Sequence, residues 1–157
     1  MKNNKDIHDD QLQDFIQILT ERIEVYANAI SSVDPNKDVN LIAFFEKCMQ
    51  LSQQFKSELL VILPKEGISP SERPWTAGVL YQKWKNRNPC METSDREQAL
   101  ESCIRIEESV QDIYKQILLP KNNFSENTAA TLQSQAALQR EIYEVLKDWR
   151  NGNNNLT

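Results

Sequence analysis

Four glutamates fall into two pairs at one spacing: Glu24 with Glu107, and Glu58 with Glu141, each stand 83 residues apart. Carboxylates are hard oxygen donors, so glutamates on neighbouring helices are the raw material of a divalent-cation site. A dinuclear centre inside a helix bundle takes one Glu from each of two helices and a Glu-x-x-His from each of two others. Glu24 and Glu107 stand where the single carboxylates belong, with Glu58 and Glu141 as the second pair. The imidazoles are missing, because the one histidine, His8, precedes the first apolar stripe and no Glu-x-x-His occurs. Four carboxylates alone suit Mn²⁺, Mg²⁺ or Ca²⁺ better than a redox iron pair.

The spacing extends beyond the glutamates. Arg22-Ile23-Glu24 recurs as Arg105-Ile106-Glu107, and the same offset sets Phe55 on Leu138, Leu59 on Ile142, Ile62 on Val145 and Leu63 on Leu146. This is the pattern of a helix pair used twice. With Ile23 as the centre of its helical face and a step of ~100° per residue, Glu24 falls on the rim, as do Glu58 and Glu141. Rim carboxylates meet solvent or a basic neighbour. A buried one has to pair with Arg22, Arg105 or Arg140, or carry a raised pKa.

The elements that must position these residues follow from apolar spacing. Leu12, Phe15, Ile16, Leu19, Ile23, Tyr26, Ala27 and Ile30 predict a helix over about 9–32, stopped by Asp34-Pro35. Leu41, Phe44, Phe45, Cys48, Leu51, Ser52, Phe55, Leu59, Ile62 and Leu63 predict a second over 41–63, ended by Pro64 and Gly67. Ser94 and Glu97 have capping-box spacing and open a third helix over 94–119. Ser125 starts a fourth over 125–150, and the Asn-rich tail 151–157 is expected to fray. Between the second and third lie some thirty residues with Pro64, Pro70, Pro74 and Pro89. A connector of that length can run back along a helix of ~24 residues, about 36 Å, so the third helix is expected parallel to the second. Within it, Ala77, Leu80, Tyr81 and Trp84 predict a short helix over 75–86. Trp75, Tyr81 and Trp84 read as packing residues, with a partner or membrane surface as the alternative.

The 157 residues, at 18.2 kDa, fit a single domain spanning 1–157. Three glycines are far fewer than the usual share of about 7%, which favours an all-α chain. A net charge of −5 without basic blocks argues against nucleic acid. No apolar run is long enough to span a bilayer and none resembles a signal segment, so a cytoplasmic protein is expected, with no membrane partner. Cys48 and Cys103 sit in apolar periodicity and read as buried thiols, while Cys90, near Lys83, Lys85 and Arg87, is the one expected to be exposed. There is no phosphate loop, nucleophile elbow or Cys-x-x-Cys, and one histidine cannot serve a Ser-His-Asp set.

The Arg-Ile-Glu repeat, the proline-bearing crossover with Trp84 and the run Leu51-Ser52-Gln53-Gln54-Phe55-Lys56-Ser57-Glu58-Leu59 resemble a bacterial family of small ferritin-like four-helix bundles known only as a domain of unknown function. The likeness covers about residues 10–150. It implies a ferritin-like bundle of two antiparallel helix hairpins joined by a long crossover carrying a short extra helix. The spacing from Glu107 to Tyr114 is similar to one seen in ferritin-like metal helices, and the resemblance puts Ser52 and Phe55, and by the repeat offset Gln135 and Leu138, at the remaining ligand positions. The resemblance carries no substrate. The functional expectation is a non-enzymatic bundle, stress-related or accessory, acting through protein contacts such as a homodimer and holding no cofactor. The alternative is a carboxylate-only divalent-metal bundle, for storage or oxidoreduction, on Glu24, Glu107, Glu58 and Glu141.

Overall fold

The computed structural model describes residues 4–68, 78–88 and 92–152, with side chains from residue 11 onward. Among the described residues all regular structure is helical: α1 (Asn4–Ser31), α2 (Val39–Lys65), α3 (Val79–Arg87), α4 (Arg96–Ile117), a 3-10 turn (Pro120–Asn122) and α5 (Glu126–Arg150). The chain is all-α, as its composition predicts. The backbone at His8 lies within α1 rather than ahead of it, because no proline or glycine stands between Asn4 and Ser31 to stop the helix. Pro64 falls inside the last turn of α2 instead of ending it. The stop comes at Gly67, whose φ of 72° completes a Schellman closure, with Ile68 N donating to Leu63 O at 2.9 Å and Gly67 N to Pro64 O at 3.1 Å. The predicted short helix begins at Val79. Residues 75–77, Cys90 and the tail from 153 lie outside the described residues.

Each long helix carries one line of buried residues that steps by three and four. They are Phe15, Leu19, Arg22, Tyr26 and Ala29 on α1, and Leu41, Phe45, Cys48, Ser52, Phe55, Leu59 and Ile62 on α2. On α4 they are Leu100, Cys103, Glu107, Val110, Tyr114 and Ile117, and on α5 Thr128, Leu132, Gln135, Gln139, Ile142, Leu146 and Trp149. That alternation is the seam of a left-handed bundle. Contacts fix the directions: Phe15 meets Tyr114 and Arg22 meets Glu107, so α1 and α4 are antiparallel. Arg22 with Ser52 and Tyr26 with Phe45 make α1 and α2 antiparallel. Glu107 with Gln139 and Tyr114 with Gln135 do the same for α4 and α5.

The core consequently divides in two. One apolar cluster holds Phe15, Leu19, Phe55, Leu59, Val110, Tyr114 and Leu132. The other holds Tyr26, Phe45, Cys48, Leu100, Cys103, Ile142 and Trp149. Arg22, Ser52, Glu107 and Gln139, one from each long helix, occupy the steps between them. The face of α1 is thus centred on Arg22, with Ile23 only half-buried, which corrects the expected phase.

Capping side chains lock the ends. Asp95, rather than Ser94, is the N-cap of α4: its Oδ1 accepts from Gln98 N at 2.8 Å, and Gln98 Oε1 accepts from Ser94 N at 3.0 Å. The capping box is displaced by one residue from the Ser94–Glu97 expectation. Ser125 caps α5 as expected, and Glu66 Oε1 accepts from Ser125 Oγ at 2.7 Å, placing a carboxylate at the α5 N-terminus. The short helix α3 has Gly78 at its N-cap, with no side chain to offer. Asp14 of α1 supplies the missing acceptor, its Oδ2 taking the Tyr81 N–H at 3.2 Å.

That docking needs a glycine. A Cβ on Gly78 would lie 1.8 Å from Asp14 Oδ1. Gly78→Ala is expected to cost about 1–3 kcal/mol in urea denaturation, the usual scale for forced overpacking. Asp14→Ala is expected to cost about 0.5–2 kcal/mol as a lost cap. In the Asp14→Ala background the Gly78→Ala cost should fall markedly, since the colliding carboxylate is gone. Strict additivity would show that Asp14 does not dock α3.

Candidate functional site

The polar layer is the chemical centre of the molecule. Arg22 and Glu107 are each fully buried, and the guanidinium grips the carboxylate with two parallel bonds, Nε to Oε2 at 2.9 Å and Nη2 to Oε1 at 2.8 Å. This is the fork geometry in which arginine is strongest. The third guanidinium nitrogen, Nη1, donates to Ser52 Oγ at 3.0 Å, and Ser52 Oγ donates to Cys48 O at 2.9 Å. Tyr26 donates its phenolic hydrogen to Glu107 Oε2. Gln139 Nε2 reaches both the Glu107 main-chain oxygen, at 2.9 Å, and Oε1, at 3.1 Å. Gln139 Oε1 alone among these groups lacks a hydrogen-bond partner.

Electrostatics follow from the burial. Burial works against the charged guanidinium, but attraction to Glu107, helped by Tyr26, leaves the Arg22 pKa above the ordinary arginine value. Burial also pushes the Tyr26 hydroxyl well up, and the neighbouring Cys48 and Glu107 add to the rise. The Cys48 thiol is pushed up to about 12 by burial and then by Glu107. Cys103 and Tyr114 move well up for the same leading reason. Both thiols are buried and free, as the apolar spacing predicts, and their raised pKa values leave them poor nucleophiles.

A second polar chain lies outside the layer. Tyr114 donates to Gln135 Oε1 at 3.0 Å, and Gln135 Nε2 donates to Glu58 Oε1 at 2.8 Å. Glu58 is thus half-buried at the seam between α2 and α5, while Glu24 and Glu141 are exposed. The four glutamates do not converge, and Glu107 alone is in the core. Among the described residues no three His, Cys, Asp or Glu side chains are grouped to hold an ion. The oxygens of Glu107 already accept from Arg22, Tyr26 and Gln139, and the guanidinium fills the space beside them, so these residues do not fit a dinuclear centre.

At two of its positions the 83-residue offset pairs residues of opposite exposure. Arg22 is buried and Arg105 exposed, whereas Glu24 is exposed and Glu107 buried. Sequence reasoning offered Arg22 beside Arg105 and Arg140 as a partner for a buried glutamate, and Glu107 takes Arg22, but it missed Tyr26 and Gln139. The signal was present, since Arg22 falls in a three-and-four line of apolar residues on α1 and Gln139 falls between Gln135 and Ile142 on the buried line of α5.

Arg22→Met or Glu107→Leu alone is expected to cost about 3–5 kcal/mol, the scale for stranding one buried charge. The double variant should recover most of that loss in denaturant titration, because neither charge is then unpaired. Stability is also expected to fall as pH rises from the usual thiol value of 9.0 toward about 12. In that window the unfolded chain releases protons from Cys48 that the native state retains, so it binds fewer protons and the slope is negative. A flat stability profile through pH 9–12 would contradict the burial of these acids.

Compared with protein-family models, with curated proteins and with solved structures, the chain has no match.

Proposed function

We propose that this chain is a non-enzymatic, ferritin-like helical bundle, cytoplasmic and accessory in role, that acts through protein contacts as a homodimer. The observation that carries the reading is the bidentate Arg22–Glu107 pair, fully buried between two apolar clusters. A bundle of this kind needs positive charge at its centre to neutralise an inward carboxylate. Here the cation belongs to a side chain, so the centre needs no ion and offers no open coordination position. The ferritin-like likeness is supported by the cyclic antiparallel order of α1, α2, α5 and α4 and by the long connector carrying α3. The carboxylate-only metal alternative would require Glu24 and Glu141 to leave solvent and Glu107 to release Arg22.

The contact surface is best sought along α2, where Leu60 and Val61 are 47% and 56% exposed beside the thinly packed seam with α5. Large aliphatic side chains at that exposure are natural anchors for a second copy. No helix among the described residues is long and apolar enough to cross a membrane.

Two measurements test the reading. Protein purified without chelator is expected to contain no stoichiometric transition metal, and excess Mn²⁺ or Fe²⁺ should move its Tm by less than about 1 °C. An ion-dependent stabilisation that disappears in Glu58→Gln with Glu141→Gln would contradict it. In sedimentation the chain is expected to self-associate, and Leu60→Lys with Val61→Lys should return it to a monomer with its helical content unchanged. A wild-type monomer at about 100 μM would overturn the homodimer.

A further inference from the structure

The surface that α2 and α5 present together carries almost no charge. Between Lys47 and Lys65 every exposed residue of α2 is uncharged, and α5 has no charged side chain from Asn127 to Gln139. The chain as a whole is 26% charged, so about four turns of two adjacent helices lack the charges that ordinarily keep a surface in water. Depletion of charge is the compositional mark of an interface core.

A groove runs along this face. Two open hollows of about 260 and 440 Å³ share Glu58 and Thr131, which makes them continuous. The α2 wall is Gln54, Glu58, Val61 and Lys65, and the α5 wall includes Thr131, Ser134 and Leu138. Both walls step by three and four, the spacing at which one helix receives another.

Two charges stand on the groove, and neither meets its opposite within the chain. Glu58 accepts only from amides, Gln135 Nε2 at 2.8 Å and Gln54 Nε2 at 3.4 Å. Lys65, exposed in the last turn of α2, has no ion pair among the described residues. They are seven residues apart on one helix, about 10.5 Å, with the Val61–Ile62 step midway. A second α2 laid antiparallel across that midpoint sets its Lys65 against Glu58 and its Glu58 against Lys65. One two-fold operation thus supplies both missing partners. A parallel pairing would set like charges together. Gln54, Thr131 and Ser134 each carry a donor and an acceptor, so a copy of the same surface can satisfy them.

Given the homodimer proposed for this chain, we infer that its interface is the groove between α2 and α5, with the two α2 helices antiparallel about Val61 and joined by reciprocal Glu58–Lys65 ion pairs, a geometry that rests on that reading.

Charge reversal followed by sedimentation equilibrium of the full chain tests it. Glu58→Lys alone and Lys65→Glu alone are each expected to weaken self-association at least tenfold, about 1.4 kcal/mol. Mixed in equal amounts, these two variants should associate again, because each supplies the charge that the other has lost. A chain carrying both substitutions should self-associate like the wild type. Lys115→Glu, exposed on α4, changes the net charge as Lys65→Glu does and should leave the dissociation constant within about twofold.

A wild-type monomer would overturn the homodimer and this geometry together. A wild-type dimer that both single reversals leave intact overturns the geometry alone and puts the interface elsewhere. So does a mixture that associates no better than its components, or equal weakening by Lys115→Glu. If Glu58→Lys lowers Tm by breaking the bond to Gln135, Lys65→Glu decides, with and without Glu58→Gln. That second change keeps an acceptor for Gln135 while removing the repelling charge, and it is expected to recover at least threefold of the lost affinity. No recovery overturns the antiparallel pairing.

Discussion

A fully buried ion pair is the constraint around which this molecule is organised. Desolvating a guanidinium and a carboxylate is costly, and the cost is offset only when geometry is close to ideal and the remaining polar atoms are satisfied. Here both conditions shape the fold. Arg22 commits Nε and Nη2 to Glu107 and Nη1 to Ser52, and Glu107 takes two further donors from Tyr26 and Gln139. The four residues at the same level of the long helices must therefore meet in one register. A slip of one helix by a single turn would leave at least one charge facing Leu19, Phe55 or Val110. The layer acts as a registration device between two apolar clusters that could otherwise slide, much as a single polar position fixes the alignment of a coiled coil.

The rest of the architecture serves that alignment. Glu66 at the end of α2 holds the start of α5, and Asn122 Nδ2 donates to Ile117 O at 2.6 Å, closing the C-terminal end of α4. Ser32 Oγ, at the end of α1, donates to Thr93 O just before α4 at 2.8 Å. These local ties set the ends, while the polar layer sets the middle. Asp14 joins the crossover helix α3 to α1 at one end, and Lys85–Glu21 and Arg87–Asp112 ion pairs tie its other end to α1 and α4. The exposed ion pairs add little energy, so α3 is held mainly by burial of Leu80, Tyr81 and Trp84.

Much of this was legible in the sequence because it rests on periodicity. The four long helices, their order and the buried thiols at Cys48 and Cys103 follow from apolar residues at three-and-four spacing, and the Ser125 start from its capping side chain. What periodicity alone could not give was the phase of α1. Ile23 looks like a face centre and Arg22 like a rim residue, because a lone arginine is assigned to water unless its partner is known. The partner, Glu107, lies 85 positions away, and the sequence offered Arg22 only as one of three arginines that a buried glutamate could take. Gln135 and Ser52 fared better, since they stand within apolar stripes, but their polar roles depend on Tyr114, Glu58 and Arg22 across helix interfaces. The displaced capping box at Asp95 is a smaller case, in which two adjacent polar residues compete for one cap and only geometry chooses.

The central claim is that a side-chain cation, rather than a metal, neutralises the carboxylate at the middle of this core. The ¹⁵N–¹H signal of the Arg22 Nε–H group reports on it most directly. The account predicts a resolved signal at neutral pH that exchanges with solvent only on global unfolding and stays sharp when paramagnetic Mn²⁺ is added. An Arg22 signal that exchanges like that of the exposed Arg105, or that Mn²⁺ broadens selectively, would show that the guanidinium does not occupy the centre of the bundle.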